Sequence, residues 1–463
     1  MSRISADARP ILLLTFVNAI GGTLLIPVLP FVVRDLGQSD VVFALLIAAY
    51  PAAQFFAAPI LGSMADHYGR RPVLLVSQAG TLLSWVIFAG AYFATDNTGV
   101  ALGLLATSRI VDGLTGGNAS VAAAYLADVV PEGDRTRVFS AQGAIAGVAL
   151  LLGPALGSYS AATSLEFLGP ALVAIALSLA TLIWMAARLE ESLAPEHRTP
   201  SFDPNPAHQL NLISKARALT NNNVLARLFT VQAAFTFAFS AYTTILALWY
   251  VDQLGISETS VGLMMLSVGV FLIFNETVTL RLVEARFGDV GTLVLGLSLL
   301  PVALFFVRLP TTVVVFLPVA FVVNAGMALV LPTLQSVVTS AADAAEEGQV
   351  QGINTSVGAV ASAVAPVCAG AAYASFGGST TILFAGAAAA VAAGVALASV
   401  QLLREAVGET APGSAPHRSH GPVHALAAKV SGGQRSFGLH LHGPGHAHHA
   451  LRRRLHHGRH AGD

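Results

Sequence analysis

The chain has 463 residues and a formal net charge of −1; 54% of its residues are hydrophobic and only 11% are charged. Soluble domains carry about 25% charged residues, so a chain this long with a mean hydropathy of +0.69 cannot cover a water-facing surface. Lipid is its expected solvent, and the near-zero charge gives no sign of a nucleic-acid or acidic partner.

A helix needs about 20 apolar residues to cross the hydrocarbon, and its backbone must be satisfied internally there. Twelve such runs are expected, near 11–33, 42–62, 73–94, 100–125, 138–160, 167–188, 225–250, 258–282, 290–308, 311–336, 351–374 and 380–403. The first is too long for a signal h-region and lacks a clear cleavage site. Residues 190–222 are polar and proline-rich, so they read as a cytoplasmic linker between two six-helix halves, 1–189 and 223–405. From 406 to 463 the chain turns rich in Gly, Pro, Arg and His, with eleven of its fourteen histidines. That composition builds no core, so a disordered tail is expected. Histidine metal capture and an out-of-frame translation are the alternatives.

The halves echo each other. Asp66-His67-Tyr68-Gly69-Arg70 loosely matches Glu284-Ala285-Arg286-Phe287-Gly288-Asp289, and Gly153-Pro154 matches the segment around Pro366 at a similar offset. The expected fold is therefore an all-α membrane protein, with twelve transmembrane helices in two pseudo-symmetric six-helix bundles. Basic residues set its orientation. Placing both termini in the cytoplasm puts Arg3, Arg9, Arg70, Arg71, Arg135, Arg137, Arg188, Arg198, Lys215, Arg217, Arg286 and Arg404 inside, and only Arg34 and Arg308 outside. A multi-pass protein of the plasma (inner) membrane is expected, as a monomer.

Several chemistries are missing. Lys215 and Lys429 are the only lysines, and no Gly-x-x-x-x-Gly-Lys phosphate loop exists. Cys368 is the single cysteine, so internal disulfides and cysteine-cage metal sites are ruled out. No catalytic constellation is evident. An enzyme, a cofactor and a metal site are not expected.

Four features carry chemistry. The short hairpin from Gly62 through Asp66 and Gly69 to Arg70 and Arg71 joins the second and third runs. Its carboxylate can accept from the free N–H groups of a neighbouring helix start, and its arginines can bridge to Asp128. Arg109 lies inside the fourth run, where a charge is costly and functional by default; Asp112, three residues on, shares its helical face. Glu276, beside Asn275, is an acid within the eighth run and a further proton-exchange site. Gly147, Gly153, Pro154 and Gly157 place small residues and a bend along the fifth run, allowing close helix approach. Isolated polar and aromatic groups in apolar runs are expected to line a central cavity: Asn18, Tyr50, Gln54, Asn118, Gln142, Gln232, Phe235, Tyr242, Asn324, Gln335 and Asn354. Such a lining suits amphiphilic organic molecules, and each group alone can equally serve an interhelical hydrogen bond.

These motifs resemble those of the major facilitator superfamily. Gly62-x-x-x-Asp66-x-x-Gly69-Arg70-Arg71 resembles its motif A, Arg109-Ile110-Val111-Asp112-Gly113 its helix 4 arginine motif, and Ala127-Asp128 through Arg135-x-Arg137 its helix 4–5 turn. Gly147 through Gly153-Pro154-x-x-Gly157 resembles the antiporter motif C, with Ala149 and Ser158 where that motif usually has glycine. The resemblance covers residues 10–405 and is nearest to twelve-helix drug:proton antiporters, including the tetracycline-exporter branch. It implies a latch at Asp66 against the helix starting near Gln351, proton coupling through Arg109 and Asp112, and export of an amphiphilic small molecule in exchange for protons. It does not extend to a tetracycline–metal cargo, because Asn18, Ser84 and Leu272 stand where tetracycline exporters carry acids and a histidine. An uptake symporter of the same fold and a non-transporting membrane sensor are the rival expectations.

Overall fold

The structure, a computed structural model, describes residues 8–200, 222–342 and 347–408. The side chains of 132–137, 139–140, 144, 150, 258–259 and 347–349 lie outside that set. So do most of the expected linker and nearly all of the expected tail, together with the motif residues Asp134, Arg135 and Arg137. The described residues form one compact unit.

All regular elements among the described residues are helical. In chain order they are α1 (Arg9–Leu24), α2 (Leu29–Asp35), α3 (Asp40–Tyr68), α4 (Arg70–Tyr92), α5 (Thr98–Gly116), α6 (Ala119–Val129), α7 (Glu132–Ala161) and α8 (Leu168–Arg188). There follow α9 (Asn223–Leu254), α10 (Glu258–Phe274), α11 (Leu280–Val307), α12 (Val313–Ser340), α13 (Glu347–Phe376), α14 (Gly378–Leu397) and α15 (Val400–Val407). Ten stretches among the described residues are long and apolar enough to cross a membrane. One of them, Ser260–Val307, spans 48 residues and turns at Gly288, whose φ is +71°. Taking its two arms separately and adding the broken α5–α6 pair accounts for the twelve expected crossings.

The turns fall where the local chemistry permits. Gly69, with φ +105°, separates α3 from α4, and Gly288 does the same at the matching position in the second half. A side chain is strained in that region of backbone space. Asn97 and Asn222 cap α5 and α9 by accepting from Val100 N–H and Val224 N–H.

Packing repeats along the chain. The pairs α1·α7, α1·α8, α3·α5, α4·α5 and α4·α8 recur as α9·α13, α9·α14, α10·α12, α11·α12 and α11·α14. Two further pairs, α3·α13 and α10·α7, exchange under the same correspondence and join the two sets. The glycines make these contacts close. A Cβ on Gly157 would meet the Leu24 main chain, and one on Gly153 would meet Thr23 with Ile20 O at 3.2 Å. From the other set, Gly262 of α10 lies against Ser158 and Pro154 of α7, and Gly370 of α13 against Ala44 and Asp40 of α3. Among the described residues nothing lies within 4 Å of the Cβ position of Gly147.

Candidate functional site

Arg109 and Asp112 sit on α5, three residues apart, and both side chains are almost fully buried. Arg109 Nη1 lies 3.5 Å from Asp112 Oδ2. The guanidinium also rests 5.2 Å from the centre of the Trp85 ring and 5.7 Å from that of Phe88. Aromatic faces stabilise a desolvated cation, so α4 supplies a partial solvent for the charge. Nε and Nη2 of Arg109 are buried and have no hydrogen-bond partner among the described residues.

Arg109 lines a cavity of about 190 Å³ between the two sets of helices. Its wall is built from α1 (Gly22), α3 (Tyr50, Pro51), α9 (Thr243) and α13 (Ser362) as well as α5. Of the residues expected to line a cavity, Tyr50 does so, and Gln54 donates to its hydroxyl at 3.3 Å and to Gly116 O at 3.0 Å. The others named from sequence are not on the wall of this cavity. Asn18 donates to Asn118 at 3.1 Å, and Asn118 to Ser77 at 2.7 Å, tying α1, α4 and the α5–α6 break together. Gln142 donates to Thr15, Gln232 to Thr236, and Asn354 to Gln335. Asn324 is buried and donates to Ala320 O within its own helix. Phe235 stacks on Phe239 in the core, and Tyr242 is buried in the same cluster. An amide in an apolar helix is satisfied as well by a neighbouring helix as by a cavity, and sequence does not distinguish the two.

Glu276 lies on a π-helical turn, Asn275–Thr279, that interrupts the apolar helix. Asn275 is fully buried; it donates to Phe271 O at 2.8 Å and accepts from Thr279 Oγ1 at 2.7 Å. Glu276 itself is half-buried. π-turns recur at functional positions, and nothing in the residue pattern announces this one.

At one end of the molecule, α3 and α4 meet at Gly69. Arg70 forms ion pairs with Asp66 and with Asp128, both at 2.8 Å. Arg71 departs from expectation: it does not reach Asp128 and donates instead to Ala186 O at 3.2 Å. Asp128 accepts from Ser192 at 2.9 Å. The Asp66 carboxylate is held by Arg70 and, among the described residues, receives nothing from α13. The sequence reading missed Glu191. Its carboxylate accepts from Arg70 N–H at 2.8 Å and Arg71 N–H at 3.2 Å, at the start of α4 where a negative charge is favoured. Glu191 also fills the space a Cβ on Gly69 would need. The segment that follows folds over the same turn: His67 Nδ1 donates to Thr199 O at 2.7 Å, and Thr199 N–H to Asp66 O at 3.0 Å. Gly62, one turn before Asp66, has open space at its Cβ position.

The opposite end carries a second cluster that no motif flagged. Arg34, at the end of α2, binds Asp40 at 3.0 Å and Asp252, at the end of α9, at 2.9 Å. Both nitrogens of its fork engage Asp252, and Tyr373 of α13 donates to the same carboxylate at 2.6 Å. Charge pairing here spans the two sets of helices. Toward the Arg70 end, by contrast, a groove of about 640 Å³ separates α3 from α9 and α13, walled by Phe55, Thr230, Ala234, Phe237, Ile353 and Val360.

Among the described residues the chain is a doubled bundle of long apolar helices with a buried ion pair beside a cavity between its halves. A sequence profile described as Major Facilitator Superfamily matches residues 11–366, and the chain belongs to that family. The chain is 29% identical over 360 residues to a class C tetracycline resistance protein of Escherichia coli, covering 77% of this chain and 87% of that one. It is 28% identical to a class H tetracycline resistance protein of Pasteurella multocida, covering 77% and 86%. The crystal structure of the human organic anion transporter MFSD10 superposes with a TM-score of 0.64 at 24% identity, covering 86% of this chain and 99% of that one. The chain is a multi-pass membrane protein that works as a secondary transporter.

Proposed function

We propose that this chain exports an amphiphilic organic molecule in exchange for protons. The buried Arg109–Asp112 pair on the cavity wall carries this reading. An ionised pair in lipid persists only while each charge has its partner. Protonating Asp112 removes the counter-charge of Arg109 and opens the pair, so one proton changes how the wall of the cargo cavity is organised. Cargo bound to the closed pair and a proton that opens it are mutually exclusive, which is the requirement for exchange. The tetracycline resistance relatives support export as the direction.

In this reading residues 1–189 and 223–405 are two rocking units joined by the 190–222 linker, with 406–463 as a cytoplasmic tail. Both termini face the cytoplasm of an inner membrane, and the monomer is the working unit. The Arg70 end, with Gly62, Asp66, Gly69, Arg71 and Asp128, is the cytoplasmic gate. Glu276 is a second proton site. Gly153, Pro154 and Gly157 keep α7 close to α1, so that the cavity does not leak.

The experiment uses purified chain in liposomes loaded with the pH dye pyranine, challenged with a panel of amphiphiles. Compounds that move are expected to drive opposite proton flow, and Asp112→Asn is expected to abolish it while the protein remains folded. Transport that continues at an unchanged rate after ΔpH and voltage are both collapsed would overturn the proposal.

A further inference from the structure

Three helix ends of the first set bring arginines to one cavity at the Arg70 end. Arg9 begins α1, Arg71 stands in the first turn of α4, and Arg188 ends α8. They wall a space of about 780 Å³ together with Trp184, Glu190 and Glu191. A helix start disfavours a cation and favours an anion, yet α1 opens on Arg9 with no side-chain cap at Ala8.

The acids present do not answer these charges. Glu191 accepts from the Arg70 and Arg71 main-chain N–H groups and pairs with Arg198 at 3.9 Å. Arg71 spends Nη2 on Ala186 O. Among the described residues, the side chains of Arg9 and Arg188 have no ion-pair or hydrogen-bond partner, and Glu190 pairs with none of the three arginines. Three guanidinium groups against one uncommitted carboxylate leave the cavity cationic.

The surroundings narrow the anion. One turn from Arg188 into the span, Trp184 is 40% exposed; Ile183 beside it is 61% exposed, and Val76 of α4 64%. On membrane-crossing helices such an apolar face meets acyl chains, and tryptophan sits at head-group level. Cations at the helix ends with lipid-facing apolar groups directly above them complement one molecule that is anionic at its head and apolar behind it. In the orientation proposed above, this end faces the cytoplasmic leaflet, which is anionic and whose lipids enter basic pockets between helices.

We propose that this cavity binds the phosphate head group of an anionic phospholipid. Arg9, Arg71 and Arg188 hold the phosphate oxygens, which guanidinium forks match. Trp184 and Ile183 lie along the acyl chains. The lipid supplies the anion that the start of α1 lacks and ties three helix ends of the first set together. The assignment stands apart from the exchange mechanism and from the cargo.

The chain carries its own reporter. Its three tryptophans are Trp85, Trp184 and Trp249; Trp85 and Trp249 are 1% exposed, and Trp184 alone reaches the surface. The full chain is reconstituted in phosphatidylcholine bilayers doped with phosphatidylglycerol or phosphatidylcholine bearing brominated acyl chains, which quench tryptophan on contact. Half-maximal quenching is expected at an about tenfold lower fraction of brominated phosphatidylglycerol, within what three arginines give an anionic lipid. Arg9→Gln combined with Arg188→Gln is expected to bring the two lipids within about twofold of each other. Arg281→Gln combined with Arg286→Gln removes as much charge from the second set, near the Gly288 turn, and is expected to leave the preference intact. Equal quenching by the two lipids in the unaltered chain would overturn the inference. So would an equal loss of preference in both double variants, the mark of a general attraction between a basic end and an anionic leaflet. Reversal of the preference by millimolar inorganic phosphate would also overturn it, because the site would then serve soluble anions. Should the Arg9 and Arg188 double variant fail to fold, Arg188→Gln alone, at an exposed helix end, is read against Arg286→Gln in the same way.

Discussion

The two ends of the molecule use the same chemistry for different purposes. At the Arg70 end, one arginine holds two carboxylates, and every partner belongs to α3, α4, α6 or the strap after α8. At the Arg34 end, one arginine again holds two carboxylates, but Asp252 comes from α9, on the far side of the interface. The first cluster stiffens one set of helices; the second clasps the two sets. The small-residue contacts of Gly262 and Gly370 lie with the second, and the apolar groove lies toward the first. In the proposed orientation this is a transporter closed to the outside. The family motif at Asp66 is then disengaged from α13, and its arginine is satisfied locally while it waits. A motif and the gate it serves need not be engaged in the same conformation.

The largest effect is expected at the clasped end. Gly157→Val is expected to abolish folded protein, measured by size-exclusion recovery from membranes. The added carbons have main chain to meet and no flexible side chain to displace, whereas overpacking a yielding core costs only about 1–3 kcal/mol. Gly147→Ala, on the same helix with open space, is expected to leave recovery unchanged.

Charge reversal comes next. Arg34→Glu is expected to open the clasped end and raise labelling of a Thr243→Cys reporter by a membrane-impermeant thiol reagent about tenfold, in a Cys368→Ala background. One surface-rim ion pair is worth up to about 1 kcal/mol, and the one added carboxylate, set against those of Asp40 and Asp252, raises the effect. Adding Asp252→Arg is expected to restore protection. Unchanged labelling in Arg34→Glu would remove the clasp.

Arg70→Ala sharpens the contrast. It leaves Asp66 and Asp128 without their cation and is expected to slow transport about tenfold, yet it should not expose Thr243→Cys from the Arg34 side. The smallest effect is expected for Glu191→Gln. It weakens a half-exposed helix-start interaction worth about 0.3–1 kcal/mol and should lower the melting temperature by a few degrees, read by a thermal shift in detergent. Arg71→Ala, whose bond goes to a single carbonyl, should be milder than Arg70→Ala in transport.

Composition and spacing determined a good deal by themselves. Apolar run lengths located the membrane helices because lipid admits little else. Gly69 and Gly288 marked matching turns because only glycine takes that backbone without strain. The Arg109–Asp112 pairing was legible because helical spacing brings those residues together, and the Arg70–Asp128 pairing because both lie in the polar turns at the same end of neighbouring apolar runs. What only tertiary structure decided is which polar group meets which across distant segments. Arg34 and Asp252 lie 218 residues apart, Glu191 reaches back to the start of α4, and Asn18 turns to Asn118 instead of the cavity. A polar side chain in a lipid-soluble helix must be satisfied somewhere, and its residue type states that need without naming the partner. The facing of the helices, set by close small-residue packing, names it.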